Sequence, residues 1–143
     1  VSAYAQTVDV RGLKYPDIGQ TMYRFDNDAT ATLETVWCMP EKTPFDIDER
    51  MSVIGSEGFV HVQDTFPSIG VCTKDGFRSP DNTYWPQRHG ITSGALREEL
   101  SYFANCCATG ELPSIITPEE SMRALEATLA AEESAATGQV VHL

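Results

Sequence analysis

The stretch SGALREELSYFANCCAT, residues Ser93–Thr109, marks the point at which the chain changes from strands to helices. Its apolar residues step by four, three and four positions, at Leu96, Leu100, Phe103 and Cys107. Side chains at this spacing share one face of a helix, and Gly110 directly afterwards is typical of a helix end. The stretch therefore predicts a helix with one apolar face.

A second helix follows, and its beginning carries stronger local signals. The run Thr117-Pro118-Glu119-Glu120 offers a Thr at the N-cap, a Pro in the first turn and a Glu three residues after the cap. Its apolar stripe contains Met122, Leu125 and Leu129, and Gly138 is the expected end. The segment Gln139–Leu143 can then add a last strand.

The region before these helices alternates with period two, which is typical of strands. Short polar or glycine-containing turns separate the strands, so that neighbours pair antiparallel as hairpins. The predicted strands are Val1–Val10, Gln20–Phe25, Thr30–Cys38, Arg50–Ile54, Phe59–Gln63, Gly70–Lys74 and Phe77–Ser79. We therefore expect one α+β domain over residues 1–143, with an open, mainly antiparallel, meandering sheet and two C-terminal helices packed on one face.

The composition excludes several classes of function. The chain has 143 residues, of which 41% are hydrophobic, and its 21 acidic against 10 basic residues give a net charge of −11. Such a surface repels phosphate, so we expect neither nucleic-acid binding nor attachment to anionic membranes. No long uncharged apolar run and no signal-peptide pattern is visible, so a cytoplasmic location is expected. The chain does not begin with Met, which is compatible with a piece of a longer protein.

Motifs that carry chemistry are mostly missing from the sequence. The ten glycines include no pair at G-x-G spacing, and no phosphate loop, H-E-x-x-H or G-x-S-x-G motif is present. The four cysteines, Cys38, Cys72, Cys106 and Cys107, form no C-x-x-C pair and no zinc-finger spacing with histidine. We interpret them as reduced thiols that pack as small apolar groups rather than as nucleophiles or metal ligands.

Of the three histidines, His61 and His142 lie in predicted strands, where a structural or solvated role is expected. His89 lies in the irregular stretch Trp85–Gly90, which joins the sheet to the first helix. Loops of this kind often carry binding groups, and a histidine can donate or accept a proton near neutral pH. The alternative interpretation is a plain connector.

Several loose motifs together resemble the C-terminal signature of the Gfo/Idh/MocA oxidoreductases. The resemblance spans essentially the whole chain, through the order and spacing of its parts. The motifs that carry the resemblance are Arg11–Asp17, Val53–Gly58, Gly94–Glu99, Phe103, Gly110, Pro113, Thr117–Glu120, Ala124-Leu125, Ser134-Ala135 and Gly138–Val140.

The resemblance implies a two-domain enzyme, in which an N-terminal Rossmann domain binds NAD or NADP and a C-terminal α+β domain completes the substrate site. This chain corresponds to the second domain. The family's catalytic lysine, in an E-K-P motif, and its Asp/His pair belong outside the region that this chain resembles. The run Glu41-Lys42-Thr43-Pro44 follows a strand in the wrong domain, so no catalytic role passes to Lys42. The isolated chain is accordingly expected to bind no cofactor and to be inactive.

The expected function is that of the substrate-binding and dimerisation domain of an oxidoreductase acting on a sugar or polyol. Lys14 and Asp17 would hydrogen-bond substrate hydroxyls, or would belong to a solvated loop. Trp85 would stack on a sugar ring, and His89 would bind the substrate or assist proton transfer. The alternative is a stand-alone ligand-binding or assembly module without redox activity.

The expected partners are the chain's own Rossmann domain, the substrate and a second copy of the chain. Ala31, Leu33 and Trp37 share one strand face, and a helix layer covers only one side of a sheet. We therefore expect a homodimer or higher oligomer, in which the open face of the sheet carries these residues.

Overall fold

A computed structural model describes residues 1–45, 48–63 and 69–143. The sequence predicts one domain, and the described chain divides into two compact units. We call Val1–Pro40 with Pro113–Leu143 the sheet unit, and Glu41–Leu112 the hairpin unit. The elements in chain order are β1 (Ser2–Val8), β2 (Ile18–Arg24), β3 (Thr30–Val36), β4 (Arg50–Gly55), β5 (Gly58–Gln63), β6 (Val71–Thr73), β7 (Gly76–Arg78), β8 (Gln87–Arg88), β9 (Ile91–Thr92), α1 (Ala95–Thr109), α2 (Pro118–Thr137) and β10 (Val141–His142).

The sheet unit contains a four-stranded antiparallel sheet with the order β10-β1-β2-β3. The last strand of the chain thus pairs with the first, through Ser2 opposite His142 and Ala3 opposite Val141. β2 and β3 form the hairpin that the polar turn Asp26-Asn27-Asp28 predicts. The α+β class, with antiparallel strands and two C-terminal helices, is confirmed.

The predicted beginning of α2 is confirmed by a complete capping box. The Thr117 hydroxyl accepts the Glu120 N–H at 3.2 Å, and the Glu120 carboxylate accepts the Thr117 N–H at 2.8 Å. Hydrogen bonds from the backbone and the hydroxyl of Thr117 lower the pKa of Glu120 below its usual value. The helix ends at Gly138, whose φ of 70° lies in the left-handed region that glycine adopts without strain.

The core of the sheet unit is built from small residues where α2 packs on β1. Ala3 and Ala5 of β1 are buried, as are Ala130 and Ala131 of α2, so the helix and strand approach closely. Ser134 is fully buried in the same place. Its hydroxyl accepts the Ala5 N–H at 2.9 Å and donates to the Gln139 carbonyl at 2.6 Å, which ties the end of α2 to β1.

One sequence-based expectation for this sheet is wrong. Directly opposed residues share a face, and the register pairs Ala5 with Thr21 and Thr21 with Leu33. Leu33 therefore lies on the face that carries α2, not on the open face. Leu33 is nevertheless 52% exposed, because α2 lies over β1 and leaves β3 uncovered. The alternation of β3 alone could not show which of its two faces the helix would choose.

The opposite face of the sheet is the open one. Four of its apolar residues, Tyr4, Val8, Met22 and Val36, are exposed to between 38% and 57%. Polar side chains of Gln6, Gln20 and Glu34 lie in the row between them, and Gln20 donates to the Glu34 carboxylate at 2.8 Å.

In the hairpin unit, the described strands form three separate hairpins, β4–β5, β6–β7 and β8–β9. The strands therefore distribute over a four-stranded sheet and three hairpins instead of the one continuous sheet that the sequence suggests. Turn signals identify the β4–β5 and β6–β7 hairpins, but they do not say which hairpins lie side by side. α1 belongs to this unit and ends at Gly110 as predicted, with φ of 74°.

Candidate functional site

The stretch Trp85–Gly90 is more ordered than the sequence suggests. We predicted an irregular connector, but Gln87-Arg88 pairs with Ile91-Thr92 as a short hairpin. His89 and Gly90 form its two-residue turn, with φ of 53° and 78°. Positive φ at both central residues is the signature of a type I′ turn, which matches the twist of a hairpin. His89 thus occupies the exposed tip of a tight turn.

Asp81 fixes the segment immediately before this hairpin. Its Oδ1 accepts the N–H groups of Thr83 and Tyr84, both at 2.9 Å, and its Oδ2 accepts the Trp85 N–H at 2.8 Å. Partial burial opposes ionisation, but the three N–H groups outweigh it and hold the pKa of Asp81 below its ordinary value. The carboxylate therefore organises three successive peptide groups that end at Trp85.

The carbonyl groups of the same segment face the beginning of α1. Those of Thr83 and Tyr84 accept the N–H groups of Ala95 and Leu96 at 2.8 and 3.1 Å. The first amides of a helix have no partner within it, so the segment acts as the cap of α1. A side chain on Gly94 would place its Cβ 2.4 Å from the Thr83 carbonyl oxygen, which explains the glycine at this position.

The segment held by these hydrogen bonds places Trp85 at the surface of the hairpin unit, with 48% of the residue exposed. The ring centroids of Trp85 and Tyr84 are 5.9 Å apart, with planes tilted by 51°. The Tyr84 hydroxyl in turn donates to the Glu49 carboxylate. An exposed indole and an exposed imidazole four residues along offer a flat apolar surface and a polar group, the two kinds of contact that a sugar uses.

Asp17, in the sheet unit, lies in a different setting. Its carboxyl Oδ2 accepts the N–H groups of Val10 and Arg11 at 2.9 and 2.7 Å, which fixes the loop between β1 and β2. The residue is only 2% exposed, and its Oδ1 is buried without a hydrogen-bond partner in the described structure. This burial favours a role in holding the loop over the direct contact with substrate hydroxyls that we expected.

Lys14 is carried by the loop that Asp17 holds. Its ammonium nitrogen lies 4.9 Å from the centre of the Tyr15 ring, and both residues are exposed. Lys14 is therefore accessible to a ligand. The four predicted site residues thus fall into two pairs, Lys14 and Asp17 in the sheet unit and Trp85 and His89 in the hairpin unit.

The remaining candidate groups take local roles. Among the described residues, no group of three His, Cys, Asp or Glu side chains is placed to hold a metal ion. His61 Nδ1 lies 2.8 Å from the Ser52 hydroxyl across the β4–β5 hairpin. The four cysteines are free thiols, of which Cys106 is buried in α1.

No described helix is long and apolar enough to cross a bilayer.

The two helix N-termini already have partners. The first amides of α1 donate to the Thr83 and Tyr84 carbonyls, and α2 begins with Pro118, which has no N–H, and continues with its capping box. Free amides at a helix N-terminus are what a dinucleotide pyrophosphate commonly binds.

Comparison with solved structures defines the class of fold. The chain has the fold of part of several solved oxidoreductases and dehydrogenases, and this fold agrees with the resemblance read from the sequence. No family model and no curated protein sequence matches it.

Three solved structures illustrate the likeness. GenD2 of gentamicin A biosynthesis, in complex with NAD, is 21% identical with a TM-score of 0.78, and the match covers 99% of this chain and 41% of GenD2. A myo-inositol dehydrogenase of Corynebacterium glutamicum is 20% identical with a TM-score of 0.65, over 100% of this chain and 43% of that one. The WlbA dehydrogenase of Bordetella pertussis, in complex with NADH and UDP-GlcNAcA, is 18% identical with a TM-score of 0.65, over 99% and 38%. The chain thus spans about two fifths of the length of the structures it matches.

Proposed function

We propose that this chain is the substrate-binding half of an NAD- or NADP-dependent oxidoreductase that acts on a sugar or polyol. The observation that carries the proposal is the match of almost the whole chain to about two fifths of dehydrogenases whose structures contain NAD or NADH. The names of two similar proteins, a myo-inositol dehydrogenase and an enzyme in complex with a nucleotide sugar, support a polyhydroxylated substrate.

The proposal places the cofactor on a separate Rossmann domain. The bonded amides at the beginnings of α1 and α2, and the lack of a G-x-G pair, support this placement because the described residues do not fit a pyrophosphate. The bound nicotinamide would supply the hydride chemistry. This chain's own residues would bind and orient the substrate.

Trp85 and His89 are the proposed substrate contacts in the hairpin unit, and Lys14 is a separate proposed ligand contact in the sheet unit. A sugar ring carries C–H groups on its faces, which pack on an indole, and hydroxyls on its edge, which hydrogen-bond to an imidazole or an ammonium. His89 would also hold a proton at a ring nitrogen near the substrate hydroxyl. For Asp17 we propose the supporting role of holding the loop that carries Lys14.

The kinetic test uses a longer protein that includes the residues encoded before Val1. Replacing His89 by Ala should lower kcat/KM for the substrate by about tenfold or more, because one polar contact to a bound substrate is lost. The Kd for NADH should not change. The matched control is His61→Ala, in the β4–β5 hairpin of the same unit. Equal kcat/KM for wild type and His89→Ala would remove His89 from the site.

We also propose self-association through the open face of the four-stranded sheet. The exposed side chains of Tyr4, Val8, Met22 and Val36 support it, since two-fold pairing is the commonest way to cover such a face. Light scattering at tens of micromolar should give about twice the 15.7 kDa of the chain. Met22→Lys, on this face, should shift the mass toward the monomer, whereas Leu33→Lys, on the helix face, should not. A monomeric wild-type chain would contradict the proposal.

The alternative is a stand-alone ligand-binding or assembly module without redox activity. The exposed open face favours the assembly part of this alternative, because self-association needs no cofactor. The residues encoded before Val1 separate the two functions: a strand–turn–helix with G-x-G-x-x-G supports the oxidoreductase.

A further inference from the structure

The segment from Asp81 to Trp85 is held along both edges of its backbone. The N–H groups of Thr83, Tyr84 and Trp85 point to the Asp81 carboxylate, at 2.8 to 2.9 Å. The carbonyls of Thr83 and Tyr84 point the other way, to the first amides of α1. Two peptide groups are therefore fixed from opposite sides, and Trp85 is the residue that follows them.

Asp81 is the only member of this arrangement that can serve all three N–H groups at once. Both of its oxygens are engaged, Oδ1 by Thr83 and Tyr84 and Oδ2 by Trp85. An ionised carboxylate accepts at both oxygens and needs no donor of its own, whereas an amide has one accepting end. The lowered pKa of Asp81 agrees with a group that is charged at neutral pH.

We propose that Asp81 is a positioning residue, which sets the orientation of Trp85 and so the ring surface that this segment offers to a bound substrate. Asp81 itself does not touch the ligand. The polyhydroxylated nature of that ligand rests on the proposed function, but the hold on Trp85 does not. The tilted contact between the Tyr84 and Trp85 rings is the local arrangement that this hold preserves.

A surface depression of about 440 Å³ along the first turns of α2 is a weaker candidate for a new site. It is lined by Pro118, Glu119, Met122, Arg123 and Glu126, all from one helix. No buried polar group points into it among the described residues.

The test uses Asp81→Asn in the 143-residue chain. The Asn carbonyl can still accept from Thr83 and Tyr84, but its NH₂ group would face the Trp85 N–H, so that only this bond is lost. Amide hydrogen exchange, followed by NMR, should show the Trp85 N–H exchanging at least about tenfold faster. Asp75→Asn, in the exposed turn between β6 and β7, is the matched control and should leave Trp85 unchanged.

A second variant guards against an unfolded Asp81→Asn protein. Asp81→Ser keeps a short acceptor for the nearer amides and does not reach Trp85, so it should have the same effect on the Trp85 N–H. In a Trp37→Phe background, the near-ultraviolet circular dichroism of Trp85 should weaken in both variants. Trp85 exchange within twofold of wild type in Asp81→Ser would overturn the proposal.

Activity of the longer protein tests the link to substrate. With NAD⁺ and myo-inositol as the probe, Asp81→Asn should raise KM by about tenfold, with kcat and the Kd for NADH little changed. Faster hydrogen exchange of the Trp85 N–H with an unchanged KM would overturn the role of Asp81 in substrate binding. A protein that oxidises no polyol would refute the proposed function, while the exchange data would still decide whether Asp81 holds Trp85.

Discussion

Asp17 and Asp81 hold two loops by the same device, a carboxylate that accepts successive backbone N–H groups, yet their surroundings differ. Asp17 is almost fully buried and uses one oxygen, which leaves the other without a partner. Asp81 is half-buried and uses both oxygens. The comparison indicates that Asp17 mainly stabilises its loop, whereas Asp81 mainly orients an exposed segment.

The largest effect that tests the difference between Asp17 and Asp81 is expected where the segment from Asp81 to Trp85 contacts α1. Gly94→Ala should lower the free energy of unfolding by about 3 kcal/mol or more, because Gly94 has φ of 91° and ψ of −172° and its Cβ would meet the Thr83 carbonyl. Chemical denaturation, followed by a spectroscopic signal from the hairpin unit, measures this loss.

Gly90→Ala is the matched control for that substitution. Gly90 also has positive φ, at 78°, but nothing lies within 4 Å of its Cβ position. It should therefore cost only about 1 kcal/mol of backbone strain. Equal losses for the two variants would mean that the contact with Thr83 does not restrain the segment.

A smaller effect is expected at Asp17. Asp17→Ala removes the acceptor of the Val10 and Arg11 N–H groups and should lower the free energy of unfolding by about 2 kcal/mol. Asp17→Asn should cost less than about 1 kcal/mol, because its carbonyl can take the place of the one oxygen in use and the buried charge disappears. Asp26→Ala, in the exposed turn between β2 and β3, is the control.

Thermal and urea unfolding of these variants measure the losses in the free energy of unfolding. If Asp17→Asn proved as damaging as Asp17→Ala, the charge and not the acceptor would be what matters there. The two aspartates would then not differ in the way that their bonded oxygens indicate.

Features set by neighbouring residues were predictable from the sequence. The capping box of Thr117 and Glu120 and the glycine at position 138 placed both ends of α2. The turns that the sequence predicts at 26–28, 55–58 and 75–76 fall at the β2–β3, β4–β5 and β6–β7 hairpins. In each case the signal and the structure lie within a few residues of one another, so a reading of local pattern suffices.

Features set by distant residues were not predictable. The pairing of β10 with β1 and the face of the sheet that α2 covers depend on tertiary packing, which the alternation of β3 does not encode. The hairpin around His89 was missed because its strands are two residues long and its turn lacks Asn or Asp before the glycine. The role of Asp81 had a weak signal, since Ser79-Pro80-Asp81-Asn82 is a run of turn-forming residues whose side chains commonly bond to the backbone ahead.

The same distinction applies to the candidate site. Residue type and position in a connecting stretch indicate Trp85 and His89 as candidates, and both are exposed in the structure. The same signals indicate Asp17, which is buried in the structure, because a carboxylate in a loop can bond to its own backbone as readily as to a ligand. Sequence alone does not separate these two uses of an aspartate.

The central proposal is that this chain binds the substrate of an oxidoreductase whose cofactor lies on another domain. Titration with NADH, followed by nicotinamide fluorescence, tests it most directly on the 143-residue chain and on the longer protein in parallel. We predict no saturable binding by the chain alone and saturable, micromolar binding by the longer protein. Saturable micromolar binding by the 143-residue chain, or none by the longer protein, would contradict the account.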